Sequence, residues 1–83
     1  MSSAGQSSGR VLFIDDEPHH AQALADALRV AGYEVEVAIS GAEGIDKLRT
    51  QPFDLVITDL VLGDIDGLQV LREARAIHPL IGV

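Results

Sequence analysis

The chain of 83 residues contains no cysteine, and it has only six basic residues against thirteen acidic ones. Without cysteine no disulfide can staple the fold, and a chain this short buries only roughly 60 to 65% of the surface its unfolded form exposes. The length therefore allows one small domain with a modest core, and stability is expected to be marginal. The shortage of positive charge leaves a formal net charge of -7, which argues against direct binding to nucleic acid or to an anionic membrane and favours cations and basic surfaces. Long apolar runs are also missing. The main ones are VLFI at 11–14 and LVIT at 55–58, far below the roughly 20 residues needed to span a bilayer. Residues 1–10 are rich in Ser and Gly and lack the apolar core of a secretory signal, so they read as a flexible leader. The absence of thiols fits a reducing compartment, and the expectation is a soluble, cytoplasmic protein.

What is present is an alternation of short apolar runs with amphipathic segments. Residues 11–14 are continuously apolar, as expected of a strand covered on both faces of a parallel sheet. Pro18 suits a first helical turn. Ala21, Leu24, Ala25, Leu28 and Ala31 then recur at helical spacing until Gly32 supplies a C-terminal cap. Residues 33–37 alternate with period two, the pattern of a strand at a sheet edge. Ser40 stands three residues before Glu43, a capping-box spacing, and Ala42, Ile45 and Leu48 form a stripe before Pro52. Residues 55–58 repeat the buried-strand signature, and Gly63, Asp64, Asp66 and Gly67 make a turn-rich loop. Leu68, Leu71, Ala74 or Arg75, and Ile77 mark a third helix closed by Pro79, and residues 80–83 read as the opening of a fourth strand. The order predicts an α/β fold with right-handed crossovers and a doubly wound parallel sheet, incomplete at three strands and three helices.

Both buried runs end in aspartate: Asp15-Asp16 after the first and Asp59 after the third strand. Ligands of such sheets bind at the C-terminal ends of strands where the strand order reverses. Three carboxylates converging there repel one another unless a cation or a proton intervenes. Hard oxygen donors suit magnesium, and a metal between Asp16 and Asp59 would also shield an incoming phosphoryl group. A carboxylate is a competent nucleophile towards phosphorus. Asp59 is the better nucleophile because it stands alone at its strand end.

The pieces VLFIDDEP at 11–18, LVITD at 55–59 and DLVLGDIDG at 59–67, with a glycine eight positions after the aspartate, make the chain resemble the receiver domain of bacterial two-component response regulators. The resemblance covers residues 11–83 and implies a flavodoxin-like receiver fold. It further implies Asp59 as the phosphoacceptor, Asp15 and Asp16 with Asp59 as ligands for Mg2+, the main-chain carbonyl of Val61 as another ligand, and Gly67 as the start of helix three. Its expected partners are a sensor histidine kinase and an output domain or partner protein. The chain departs from the family in carrying Leu62-Gly63 where Met-Pro is common, which loosens the loop. Residues 1–83 also hold no counterpart of the family's Thr or Ser after strand four, or of its Lys after strand five. Loss of such a preorganised charge costs on the order of 100-fold to 1,000-fold in rate. The expectation is therefore a C-terminally truncated receiver with weak phosphotransfer, and the alternative is an interaction module that accepts no phosphate and dimerises through uncovered apolar faces.

Other readings compete for the same residues. Two adjacent aspartates after a strand can be a solvated turn or a favourable charge at a helix N-terminus. Asp64, Asp66, Gly67 and Glu73 fall on positions of a calcium-binding EF-hand loop, but Leu62 stands where the leading Asp belongs. His19 and His20 diverge by about 100° on a helix and cannot share a metal, and His78 reads as a helix-end residue placed favourably for the dipole. A phosphatase-type hydrolase is disfavoured because no second Asp stands two positions after Asp59. The Leu24/Leu28 and Leu68/Leu71 stripes are expected in the core.

Overall fold

The computed structural model of the chain describes residues 9–59, 62–79 and 82. Three parallel strands, β1 (Arg10–Ile14), β2 (Glu34–Ala38) and β3 (Leu55–Thr58), form a sheet of order β2-β1-β3. Helices α1 (Pro18–Val30), α2 (Gly41–Thr50) and α3 (Gly67–Ile77) connect and follow them. The chain moves from β1 to β2 on one side, then crosses over β1 to reach β3 on the other. Because right-handed crossovers in opposite directions put their helices on opposite faces, α1 covers one face of the sheet, and α2 and α3 cover the other.

Each face has its own core. Val11, Phe13 and Val35 pack with Ala21 and Ala25 of α1, while Leu12, Ile14 and Val56 pack with Ile45, Leu48, Val70 and Ala74. Both faces of β1 are therefore covered, which is why residues 11–14 are apolar without interruption. As expected, β2 is an edge strand, Gly32 closes α1 with φ 105° and Gly67 opens α3.

The helix stripes differ from expectation at several positions. Leu24 is 51% exposed and Leu68 54%, because α1 turns Ala21 and Ala25 inward, and α3 turns Gly67, Val70 and Ala74 inward. Leu28 and Leu71 are only half-buried. In α2 the inward residues are Gly41, Gly44, Ile45 and Leu48, and Ala42 is exposed. Small side chains at these contacts let the helices lie close to the sheet and rotate the bulkier neighbours to the side.

Arg10, expected in the leader, opens β1 instead. Its guanidinium lies over the Phe53 ring at 5.3 Å, forms an ion pair with Glu34 at 3.2 Å, and donates to the Gln51 side chain at 3.0 Å and the Pro52 carbonyl at 3.3 Å. This ties the start of the sheet to the turn that ends α2. The remainder of the expected leader, residues 1–8, lies outside the described residues, as do 80, 81 and 83 of the expected fourth strand. Gly82 donates to the Asp54 carbonyl and accepts from the Val56 amide, each at 2.9 Å, in a parallel bridge beside β3.

Candidate functional site

The backbone at both strand ends is held by the neighbouring strand. The Asp15 amide donates to the Ala38 carbonyl at 3.0 Å, and the Asp59 amide donates to the Ile14 carbonyl at 3.2 Å. Pairing thus continues one residue past the Ile14–Thr58 register and brings Asp15, Asp16 and Asp59 together where β1 lies between β2 and β3. Each offers one carboxylate oxygen, and these oxygens all lie within 4.8 Å of one another. Asp15 is 9% exposed, and its Oδ1 accepts from the Glu17 amide at 2.9 Å, which orients the carboxylate. Asp16 and Asp59 are exposed.

This donor set fits a hard cation. Two oxygens on one magnesium lie about 3 Å apart when adjacent and about 4 Å apart when opposite, so the observed spread needs only small side-chain rotations or one bridging water. The site sits at the C-terminal ends of the strands, where α/β sheets bind ligands. The carbonyl of Val61, a further expected ligand, lies outside the described residues.

Other candidate residues have structural tasks. Asp66 caps α3 by accepting from the Gln69 amide at 2.9 Å. Asp64 accepts from the Gly41 and Ala42 amides of α2, each at 2.9 Å. With their oxygens directed to two different helices, these residues do not converge as a calcium loop requires. The same two amide bonds, Ala42's with the larger effect and Gly41's next, hold the Asp64 carboxyl below the usual carboxylate range. His19 and His20 are exposed at the start of α1, and His19 lies against Glu17 at 3.4 Å. His78 is the C-terminal cap of α3, and its Nε2 meets the Leu48 carbonyl of α2 at 3.0 Å. Neither the Asp64 contact nor the His78 contact was legible in local sequence spacing, since the partners stand 22 to 30 positions away.

Comparison with known proteins supplies a relation for this geometry. Residues 11–83 match the family described as response regulator receiver domain. The transcriptional regulatory protein ZraR of Escherichia coli (strain K12) is 38% identical over 73 residues, which cover 88% of this chain and 17% of that protein. The chain therefore spans only a small part of such relatives. Among solved structures, the receiver domain of the hybrid histidine kinase CckA superposes with a TM-score of 0.83 at 35% identity, covering 88% of this chain and 69% of that one. The response regulator TrrA of Thermotoga maritima, solved in complex with Mg2+ and BeF, gives a TM-score of 0.80 at 37% identity, covering 84% and 61%.

Proposed function

Because this chain belongs to the response regulator receiver domain family, we propose that it receives a phosphoryl group on Asp59 from a sensor histidine kinase and passes the signal on as a conformational change. In the transfer a carboxylate oxygen of Asp59 attacks phosphorus, the phosphorus–nitrogen bond of the phosphohistidine breaks, and the imidazole leaves with the electron pair and takes up a proton. The product is an acyl phosphate on the chain's own side chain, so the module is a phosphoacceptor and not a turnover enzyme. The exposure of Asp59 lets a bulky donor reach it. Asp15, Asp16 and Asp59, with the carbonyl of Val61, are the residues that would hold Mg2+, whose chemistry there is to neutralise charge as two anions approach. The complex of TrrA with Mg2+ and BeF supports this assignment.

The observation that carries the proposal is the approach of three carboxylates from two strands to within 4.8 Å at the sheet's switch point. Residues 11–83 are the receiver unit in this reading, and an output domain or partner protein reads its state, as the name of ZraR suggests. Incubation with acetyl phosphate and Mg2+ followed by intact mass tests it. The expected result is gain of one phosphoryl group by the native protein and none by Asp59→Ala. Equal labelling of both would refute Asp59 as the acceptor, and a folded, Mg2+-binding protein that stays unlabelled would favour an interaction module.

A further inference from the structure

We propose that Asp64 is a positioning residue, a latch through which the first turn of α2 holds the loop that walls the acidic site. The inference rests on the reading of Asp15, Asp16 and Asp59 as a cation site, and it concerns what keeps that site in shape.

The first turn of α2 caps itself only in part. Ser40 accepts from the Glu43 amide at 3.0 Å, the Glu43 carboxylate reaches back to the Ile39 amide at 2.9 Å, and the Gly44 amide bonds the Ser40 carbonyl at 3.0 Å. The Gly41 and Ala42 amides are left over as adjacent parallel donors. Asp64 fills both, with one carboxylate oxygen on each. Such charge-assisted bonds at a helix N-terminus are among the stronger ones available on a surface.

The docking surface is shaped for close approach. A Cβ on Gly41 would come within 2.9 Å of the Ile65 Cβ and 3.4 Å of the Ile65 carbonyl oxygen, so only glycine lets the loop lie flat against α2. On its other side the loop lies beside the site: a Cβ on Gly63 would stand 3.7 Å from Oδ2 of Asp16. Leu62 is buried in the core and Asp66 is bound to α3. Gly63 therefore lies between the core anchor and the latch, and without a Cβ its backbone has more conformations open to it than its neighbours 62 and 64 have. With the latch broken, Gly63 regains its backbone freedom, and the wall beside Asp16 must be ordered anew each time a cation binds.

The test compares Asp64→Ala, Asp64→Asn and Asp64→Ala/Gly63→Ala with the native protein by NMR, reading amide exchange and a Mg2+ titration. In Asp64→Ala the Gly41 and Ala42 amides should exchange at least ten-fold faster, and Mg2+ affinity should fall about five-fold, the cost of ordering one residue's backbone. Asp64→Asn keeps one acceptor oxygen and should lie between, and it carries the comparison if the alanine variant does not fold. Gly63 has no positive φ, and a Cβ there meets only ordinary contact distance. Alanine at 63 should therefore return much of the Mg2+ affinity without restoring protection at Gly41 and Ala42, a rescue that a purely stabilising cap does not predict. Unchanged Mg2+ affinity in Asp64→Ala, or no rescue by Gly63→Ala, overturns the latch. Should the native protein bind no Mg2+, the cation-site reading fails instead; the latch then stands if residues 63–65 become mobile in Asp64→Ala, and falls if they do not.

Discussion

Asp16→Asn should stabilise the metal-free protein and at the same time remove most of the stabilisation by Mg2+. One carboxylate oxygen from each of Asp15, Asp16 and Asp59 lies within 4.8 Å of the other two. At that separation two unit charges repel by about 0.9 kcal/mol in a water-like medium, and physiological salt, with a Debye length of about 8 Å, roughly halves this. The water-like value suits the Asp16–Asp59 pair, since both are exposed, and is the lower limit for the pair with Asp15, which is 9% exposed. Neutralising Asp16 relieves its repulsion with both neighbours, so the metal-free protein should gain about 1 kcal/mol at physiological salt and somewhat more at low salt. For a domain of this size that raises Tm by about 4 to 8 °C. Mg2+ at ten times its dissociation constant should stabilise the native protein by about 1.4 kcal/mol, and the variant by much less. The two proteins, well separated without Mg2+, should therefore converge with it. Urea unfolding or thermal melting with EDTA and with Mg2+ measures both effects. Asp26→Asn, which removes an exposed charge paired with Arg29 at 3.4 Å on α1, serves as the control and should keep the full response to Mg2+. A variant Asp16→Asn that melts at or below the native protein in EDTA, or that responds fully to Mg2+, would refute the reasoning.

Three further outcomes are expected. A Cβ on Gly44 would collide with Cδ1 of Ile14 and lie 2.9 Å from its Cγ1, so Gly44→Ala should cost about 1 kcal/mol net, overpacking outweighing the gain in helix propensity; Ile14→Val, which deletes the offending methyl, should make the double variant better than additive in a urea-based cycle, and strict additivity would contradict the contact. Ser40→Ala removes the acceptor for the Glu43 amide and should lower urea stability by about 1 kcal/mol, with no change meaning that Asp64 and Glu43 hold the turn alone. The Asp64 carboxyl sits below its ordinary range, chiefly through the Ala42 and Gly41 amides. Its stabilisation is thus complete above the ordinary carboxylate pKa of about 4 and is lost as pH falls towards the lower native value. The stability gap between native protein and Asp64→Asn should shrink on acidification, and a constant gap would count against the assignment.

The elements were legible because each carries its own local signal: continuous apolarity in residues 11–14 and 55–58, the Ser40–Glu43 spacing, Pro18 and Pro52, and the glycine after α1. The site was legible for a related reason. A carboxylate that ends a buried parallel strand has few places to go, and two such strands bring theirs to one edge. The core was less so. Leu24 and Leu68 are more apolar than the residues beside them, yet close helix-to-sheet contact selects small inward residues, and only the packed structure tells which side of a stripe wins.

The sequence by itself determined the class of fold, the order of its elements and the three aspartates at the strand ends, because hydrophobic period, caps and breakers act over a few residues. The tertiary structure alone decided that α1 packs through alanines, that Arg10 closes the base of the sheet, and that Asp64 binds α2 from 22 and 23 positions away. Those contacts join residues far apart in the chain, and nothing in local spacing specifies which donor a surface carboxylate will meet once the helices have docked.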